Sequence, residues 1–500
     1  MLAAALSPYH FLIYLATFVV LYGLLGWPGQ GWRGEWPRRS LFATLGILAL
    51  VAFTLRSPGD AVPGDPGRAF EHYIQGTIAA RQALAIRLVR GGMPADEMLQ
   101  AAIRHYERAV QEAPTSEVFR RELAVLYLAR HDLPAARRVA AEATSLLRQR
   151  QSPRAEQAAQ LWSLALDETP PTPAHTGEVE RRVRELDWGL FGDLLVAESY
   201  RRAGRAAEAE DLRTELTRRA SRYMGRAVLA LLFLLLIVGL GAVFTVVALV
   251  LARHRLLPRE ERPWQDAAPI LWEGFLLYAF LWTAPAWLQW WDPLARLLAE
   301  RTPAIIIGVN AASDLIALLA VGYLWWRLRR RGLGLDEVGL RARPLGVNLA
   351  WGLAALPIVW VNLIWVSQLT RWVGERWFPQ FPQPYHPVES LVVGAGDPWL
   401  RLGLFLIAGV GAPVLEEIFF RGALYGAMRR RLNAPTAAVL SAAFFAGLHP
   451  QLPLGFIPIF ALGLALTFLY EWRRSLVPGI VFHALNNGLI LLGLTTLLPP

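Results

Sequence analysis

The chain is 500 residues long and 54% hydrophobic before glycine is counted, with a mean hydropathy of +0.33; soluble globular chains reach about 45–50% with glycine included, so an ordinary water-soluble fold is excluded. Cysteine is absent, which removes disulfides, thiolate-bound metals, iron–sulfur clusters and a cysteine nucleophile. The formal charge is +10, and the 50 basic residues are all arginine; they flank apolar runs, so they read as orientation signals in a lipid bilayer, and no nucleic-acid partner is expected. The bias toward Ala, Leu and Arg reads as GC-rich codon usage and a bacterial source.

A spanning helix needs about 20 apolar residues at about 1.5 Å of rise each. In chain order, the first such runs are 9–26 and 41–55, which make 1–56 a pair of transmembrane helices. The first run is too long and too poorly flanked by charge for a cleaved signal peptide. A polar stretch, 57–225, follows. It opens on the linker SPGDAVPGDPG and then reads as soluble helices. Ala102, Tyr106, Ala109 and Pro114 recur at the spacing of the second helix of a tetratricopeptide repeat. Leu123, Ala124, Tyr127, Ala136 and Ala143 continue in register, and Leu195, Tyr200, Gly204 and Ala209 echo them more weakly. Small residues let paired helices approach while Tyr and Leu fill the groove, an arrangement that binds a partner peptide. A generic amphipathic bundle is the alternative.

Residues 226–398 then hold the runs 227–252, 268–290, 303–326 and 345–370, with Glu273 and Asp314 as membrane-embedded acids that read as packing bonds. The loop after them, RWVGERWFPQFPQPYHPVES, carries Trp372, Trp377, Phe378 and Phe381, which suit an aromatic belt at headgroup level. Residues 399–500 hold the runs 399–428, 435–449, 452–472 and 476–498. The expectation is an all-α, polytopic membrane protein of about ten spans with a soluble helical-repeat domain. Arg33, Arg38, Arg39, Arg253, Arg255, Arg259 and Arg262 fall in alternate short loops, as do Arg327, Arg329, Arg330, Arg331, Arg341, Arg343, Arg429, Arg430, Arg431, Arg473 and Arg474. Only Arg296, Arg301, Arg371 and Arg376 oppose them, so the first set faces the cytoplasm. That places the chain in the plasma (inner) membrane with the repeat domain outside, although Arg218, Arg219, Arg222 and Arg226 precede the third run on that outer side; long domains translocate largely regardless of charge.

An ionisable group at the bilayer centre costs at least about 2.5 kcal/mol, so such groups are functional candidates. The last hundred residues concentrate them. Glu416 and Glu417 lie in PVLEEIFFRG with Arg421 one turn on; Glu417 and Arg421 are spaced to pair, while Glu416 points about 100° away. His449 ends FFAGLHP, and His483 and Asn487 share a helix face in VFHALNN. Counting rise per residue from the cytoplasmic ends puts Glu416 roughly 18 Å deep, His449 roughly 21 Å, His483 roughly 10 Å and Asn487 roughly 16 Å. An acid–base pair beside neutral donors suits hydrolysis by activated water. No G-x-S-x-G elbow or H-E-x-x-H zinc helix occurs.

These residues resemble the CAAX-processing and bacteriocin-processing (CPBP, Abi) intramembrane proteases. EEIFFR is similar to that family's E-E-x-x-x-R motif, Phe445–His449 to its F-x-x-x-H and His483–Asn487 to its H-x-x-x-N, in the family's order and on separate spans. The resemblance implies that Glu416 with His449 activates water, that His483 with Asn487 forms an oxyanion hole, and that Glu417 and Arg421 shape the site. It implies a glutamate-dependent endopeptidase that needs no cofactor and acts on membrane-protein or peptide substrates. A zinc site at Glu416, His449 and His483 is the alternative that ligand chemistry allows. Prenylated substrates are not expected in a bacterium. The two N-terminal spans and the helical repeats fall outside the family pattern; a protein partner of the repeats is expected. The rival functions are a non-enzymatic scaffold or immunity-type protein acting through those repeats, and a transporter using Asp314 and Glu273.

Overall fold

The computed structural model describes residues 66–90, 93–149, 151–152, 154–167, 171–186, 188–255, 267–282, 303–340, 344–378, 381, 384, 398–449, 451 and 454–497. The runs 9–26 and 41–55 lie outside these residues, as does the end of the run 268–290. Among the described residues every regular element is a helix. The chain divides into two compact units, one built on Val62–Phe233 and one on Leu234–Leu492.

In the first unit, α1 (Pro66–Arg90) packs on α2 (Met93–Glu112), and α3 (Glu117–Ala129) packs on α4 (Leu133–Gln149). Next come α5 (Ala155–Leu166), α6 (Pro173–Leu186) and α7 (Gly189–Arg202), the last returning onto α3, and then the start of α8 (Ala206–Arg255). The helix starts are written locally. Ser116 accepts from the Phe119 amide at 3.3 Å and Asp132 from the Ala135 amide at 3.1 Å, each satisfying an orphan N–H of a first turn. Ala102, Ala109, Ala124, Ala136 and Ala143 are buried, and Tyr106 is buried against Gly76, Tyr73 and Phe191. Its hydroxyl meets Thr77 Oγ1 at 2.8 Å and donates to Glu122 at 2.5 Å.

Glu122 is buried on α3, and desolvation pushes its carboxyl above the usual 4.5 against the opposing pull of Arg121. A raised folded value means that the folded chain holds this proton more tightly than the unfolded chain. The charged form therefore costs stability at neutral pH, and acidification through the folded value toward about 4.5 removes that cost. Glu122→Gln keeps the Tyr106 bond without the charge. Thermal unfolding of the full chain should show Glu122→Gln at least as stable as wild type at neutral pH, with the difference closing as pH falls toward about 4.5.

The second unit takes the rest of α8 with α9 (Ala268–Trp282), α10 (Pro303–Arg329), a 3-10 turn at Leu335–Val338 and α11 (Leu345–Trp377). It continues with α12 (Pro398–Arg429), α13 (Ala434–Gly447), α14 (Phe456–Arg473) and α15 (Val477–Leu497). Among the described residues six stretches are long and apolar enough to cross a membrane: Ala206–Gly241, Ile307–Arg329, Leu345–Trp377, Pro398–Arg429, Phe456–Arg473 and Val477–Thr495. This is a polytopic helical membrane protein. Each apolar run from 227 onward falls on one of these helices, and one helix is short. Of the run 268–290 only Ala268–Trp282 is described, and the run 435–449 yields the 14-residue α13. The latter stops because the chain turns at Leu448 and His449 ahead of Pro450, which cannot extend a helix.

Small residues set the close contacts, as expected where hydrophobicity cannot drive helices together. A side chain at Gly241 would meet the Pro357 carbonyl at 1.9 Å, and one at Gly463 would meet Ala442 at 3.1 Å. Glu471 anchors the ends of α12 and α14 by accepting from Tyr425 at 2.8 Å and Arg429 at 3.2 Å and pairing with Arg474 at 3.0 Å. Arg430 pairs with Glu337 at 3.0 Å. Leu229, Leu236, Leu315, Leu319 and Trp365 are exposed on outward faces, as lipid-facing residues must be.

Candidate active site

The helix that carries both glutamates is irregular. Phe405–Gly411 and Glu417–Tyr425 are π-helical, and Ala412–Glu416 between them is α-helical. Such widened turns are rare and concentrate at functional sites. Here one consequence follows from a single proline. The Ala412 N–H donates to the Ile407 carbonyl in the π register. The next residue, which would return an N–H to the Ala408 carbonyl, is Pro413 and has none. The side-chain amide of Asn487 supplies the donor at 3.0 Å, tying α15 to α12 two turns before Glu416.

Glu417 and Arg421 form the i,i+4 pair, Nη1 donating to Oε1 at 3.0 Å, with both side chains almost fully buried. Arg421 also donates to the Gly463 carbonyl at 3.3 Å and lies 4.3 Å over the Phe445 ring. The same Glu417 oxygen sits 3.0 Å from His483 Nδ1, so one carboxylate oxygen joins α12 and α15. The other, Oε2, has no hydrogen-bond partner among the described residues and faces Gly479, where a Cβ would come within 2.9 Å. Glu416 is the more accessible acid, its side chain 21% exposed, and its Oε2 lies 3.7 Å from His483 Nε2. Two carboxylates therefore flank one imidazole, one on each ring nitrogen.

His449 is half-buried at the end of α13. Its Nδ1 is 2.6 Å from the Phe445 carbonyl, which only accepts, so Nδ1 carries a proton. It joins the cluster through Phe445, whose ring lies 4.6 Å from His449 and 5.9 Å from His483. The motif thus contributes a spacer as well as an imidazole: Phe445 touches Arg421, His449 and His483. Direct contacts link Glu416, Glu417, Arg421 and His483, while Asn487 reaches the glutamate helix through the Ala408 carbonyl.

Among the described residues no group of three or more His, Asp or Glu side chains is placed to hold a metal ion. The alternative set Glu416, His449 and His483 is not among such groups; Glu416 Oε2 and His483 Nε2 lie 3.7 Å apart. Of the other two acids, Glu273 accepts from Tyr323 at 3.0 Å and Arg327 at 3.3 Å, a packing bond between α9 and α10. Asp314 is half-buried, with Oδ2 3.4 Å from where a side chain at Gly411 would begin. Trp372 stacks edge-on to Trp377, and Phe378 stacks on Phe381, at the exposed end of α11. The sequence reading missed Phe445 as a contact centre and the π-helical turns; Pro413 was the one visible sign of the latter.

Residues 398–489 match the family model described as Type II CAAX prenyl endopeptidase Rce1-like, and Glu416, Glu417, Arg421, His449, His483 and Asn487 all fall inside that segment. The membrane-embedded CAAX protease MroQ of Staphylococcus aureus (strain USA300) is 28% identical over 157 residues, which is 30% of this chain and 59% of that protein. The aligned segment therefore spans less than two thirds of that relative. No solved structure matches the chain.

Two substitutions probe the buried cluster in unfolding titrations of the detergent-solubilised chain. Arg421→Met leaves the Glu417 carboxylate buried without its cation and should cost about 3–5 kcal/mol. Gly479→Ala should cost about 1–3 kcal/mol through overpacking against Glu417, whereas Gly493→Ala, on the same helix with open space around it, should cost nothing measurable.

Proposed function

We propose that this protein is an intramembrane endopeptidase that hydrolyses peptide bonds of membrane-associated proteins with glutamate- and histidine-activated water. The observation that carries the reading is the meeting of Glu416, Glu417, Arg421 and His483 inside the segment that matches the endopeptidase family. The charges support it. A desolvated cluster is least costly when its net charge is small. The two glutamates stand beside the Arg421 guanidinium and the His483 imidazole, whose Nδ1 lies 3.0 Å from Glu417 and whose Nε2 lies 3.7 Å from Glu416.

In this scheme Glu416, assisted by His449, takes a proton from water as its oxygen attacks the scissile carbonyl carbon. The carbonyl π electrons move onto oxygen, and that oxyanion accepts from His483 and Asn487. Collapse breaks the C–N bond, and the proton held by the base passes to the departing amine. Glu417 and Arg421 hold His483 in place. The helices of Val62–Phe233, read as tetratricopeptide-like repeats on the extracytoplasmic side, would recruit a substrate or partner protein. The expected substrates are membrane proteins or peptides that carry no prenyl group.

Glu416→Ala and His449→Ala should each lower cleavage by more than about 100-fold without reducing protein level. The test compares newly formed protein termini in membrane and secreted fractions of cells carrying wild type or either variant. Termini that disappear in both variants support the reading and name the substrate. Identical termini, with the variants folded and present, would overturn it and leave a scaffold acting through the helical domain.

A further inference from the structure

Asn487 is useful to an oxyanion only if its NH2 end, and not its carbonyl oxygen, is presented on the correct side, and an amide can sit either way round. Two residues outside the motifs resolve this. The indole Nε1 of Trp360, on α11, donates to Asn486 Oδ1 at 2.9 Å. Asn486 Nδ2 donates to Asn487 Oδ1 at 3.1 Å, and Asn487 Nδ2 donates to the Ala408 carbonyl at 3.0 Å. Both ends of this chain have fixed polarity. An indole N–H can only donate, and a backbone carbonyl can only accept. Reversing either asparagine would set donor against donor or acceptor against acceptor at both of its contacts.

We propose that Trp360 and Asn486 are positioning residues that lock the amide of Asn487 with its NH2 toward α12, so that one N–H is held by Ala408 and the second is directed to the reacting oxygen. The inference rests on the hydrolytic reading above and adds to it two residues that the motif pattern does not contain. The geometry is economical. Trp360 is half-buried beside Leu466 and Phe482, Asn486 is buried, and the bond spans 126 positions of sequence, from the middle of α11 to α15. The acceptor at the far end exists because Pro413 supplies no N–H to Ala408 in the π-helical stretch.

Two variants separate polarity from packing. Trp360→Phe keeps an aromatic ring and removes only the terminal donor. Asn486→Asp keeps size and still accepts from Trp360, but it turns an acceptor toward Asn487 Oδ1; relief comes by flipping Asn487, which then faces Ala408 with its own oxygen. Cleavage is read as the rate at which Glu416-dependent termini appear after a pulse of synthesis. Losing an oxyanion donor outright in Asn487→Ala should slow it about 100-fold or more. Trp360→Phe should slow it about tenfold and Asn486→Asp more than that.

On the Asn487→Ala background both changes should have less than about a twofold further effect, because they act through the missing amide. A merely structural role would instead add its full loss on that background, and that result overturns the proposal, as do single variants that cleave at the wild-type rate while Glu416→Ala is inactive. If Glu416→Ala abolishes no terminus, the hydrolytic reading fails, and structures of the full chain in lipid nanodiscs decide the relay alone. In Asn486→Asp the Asn487 amide should leave the Ala408 carbonyl; an unchanged contact in both variants overturns it.

Discussion

The second unit of this protein is organised by one buried carboxylate. Glu417 has almost no exposed surface, and in lipid such a charge is tolerable only if its partners are brought to it. A single oxygen of Glu417 meets Arg421 from its own helix and His483 from α15. The guanidinium then reaches onward to Gly463 of α14 and over Phe445 of α13. Four helices are thereby placed by one charge pair. Glu416, its neighbour in sequence, is left partly open and faces the other nitrogen of the same imidazole. Burial and accessibility are thus divided between adjacent glutamates by which side of the helix each occupies.

The π-helical turns carry the second constraint. Over most of its length an α-helix pairs its own carbonyls and leaves a neighbour only their second lone pair. Around Pro413 the ladder shifts register, and the Ala408 carbonyl becomes an attachment point for Asn487. The irregular backbone sits where a partner side chain covers it, as a membrane interior requires. The fourth element, α13, contributes through Phe445, whose ring separates the two imidazoles and supports the arginine.

Much of the helix pattern could be read from sequence because lipid imposes long apolar runs, and the runs from 345–370 to 476–498 fall on α11 to α15. The Glu417–Arg421 pair followed from spacing alone, since i,i+4 side chains share a face. What could not be read is what spacing does not encode. Nothing local to VFHALNN signals that Asn486 meets an indole 126 positions earlier, or that His483 chooses Glu417 for Nδ1. A uniform rise per residue also hides the π turns and the early end of α13. The helical stretch before α8 was legible as paired amphipathic helices through its buried alanines and Tyr106. Its polar lock, Tyr106 to Glu122, joins two helices and has no periodic signature.

The brevity of α13 has a bearing on water supply. Fourteen residues rise about 21 Å, while the hydrocarbon layer is about 30 Å thick. A helix that stops so far short forces the surrounding lipid to dip or leaves a hydrated notch above its end. His449 stands at that end. The hydrolysis proposed above consumes water in an oily medium, and the end of a short helix is where that water would reach the imidazole.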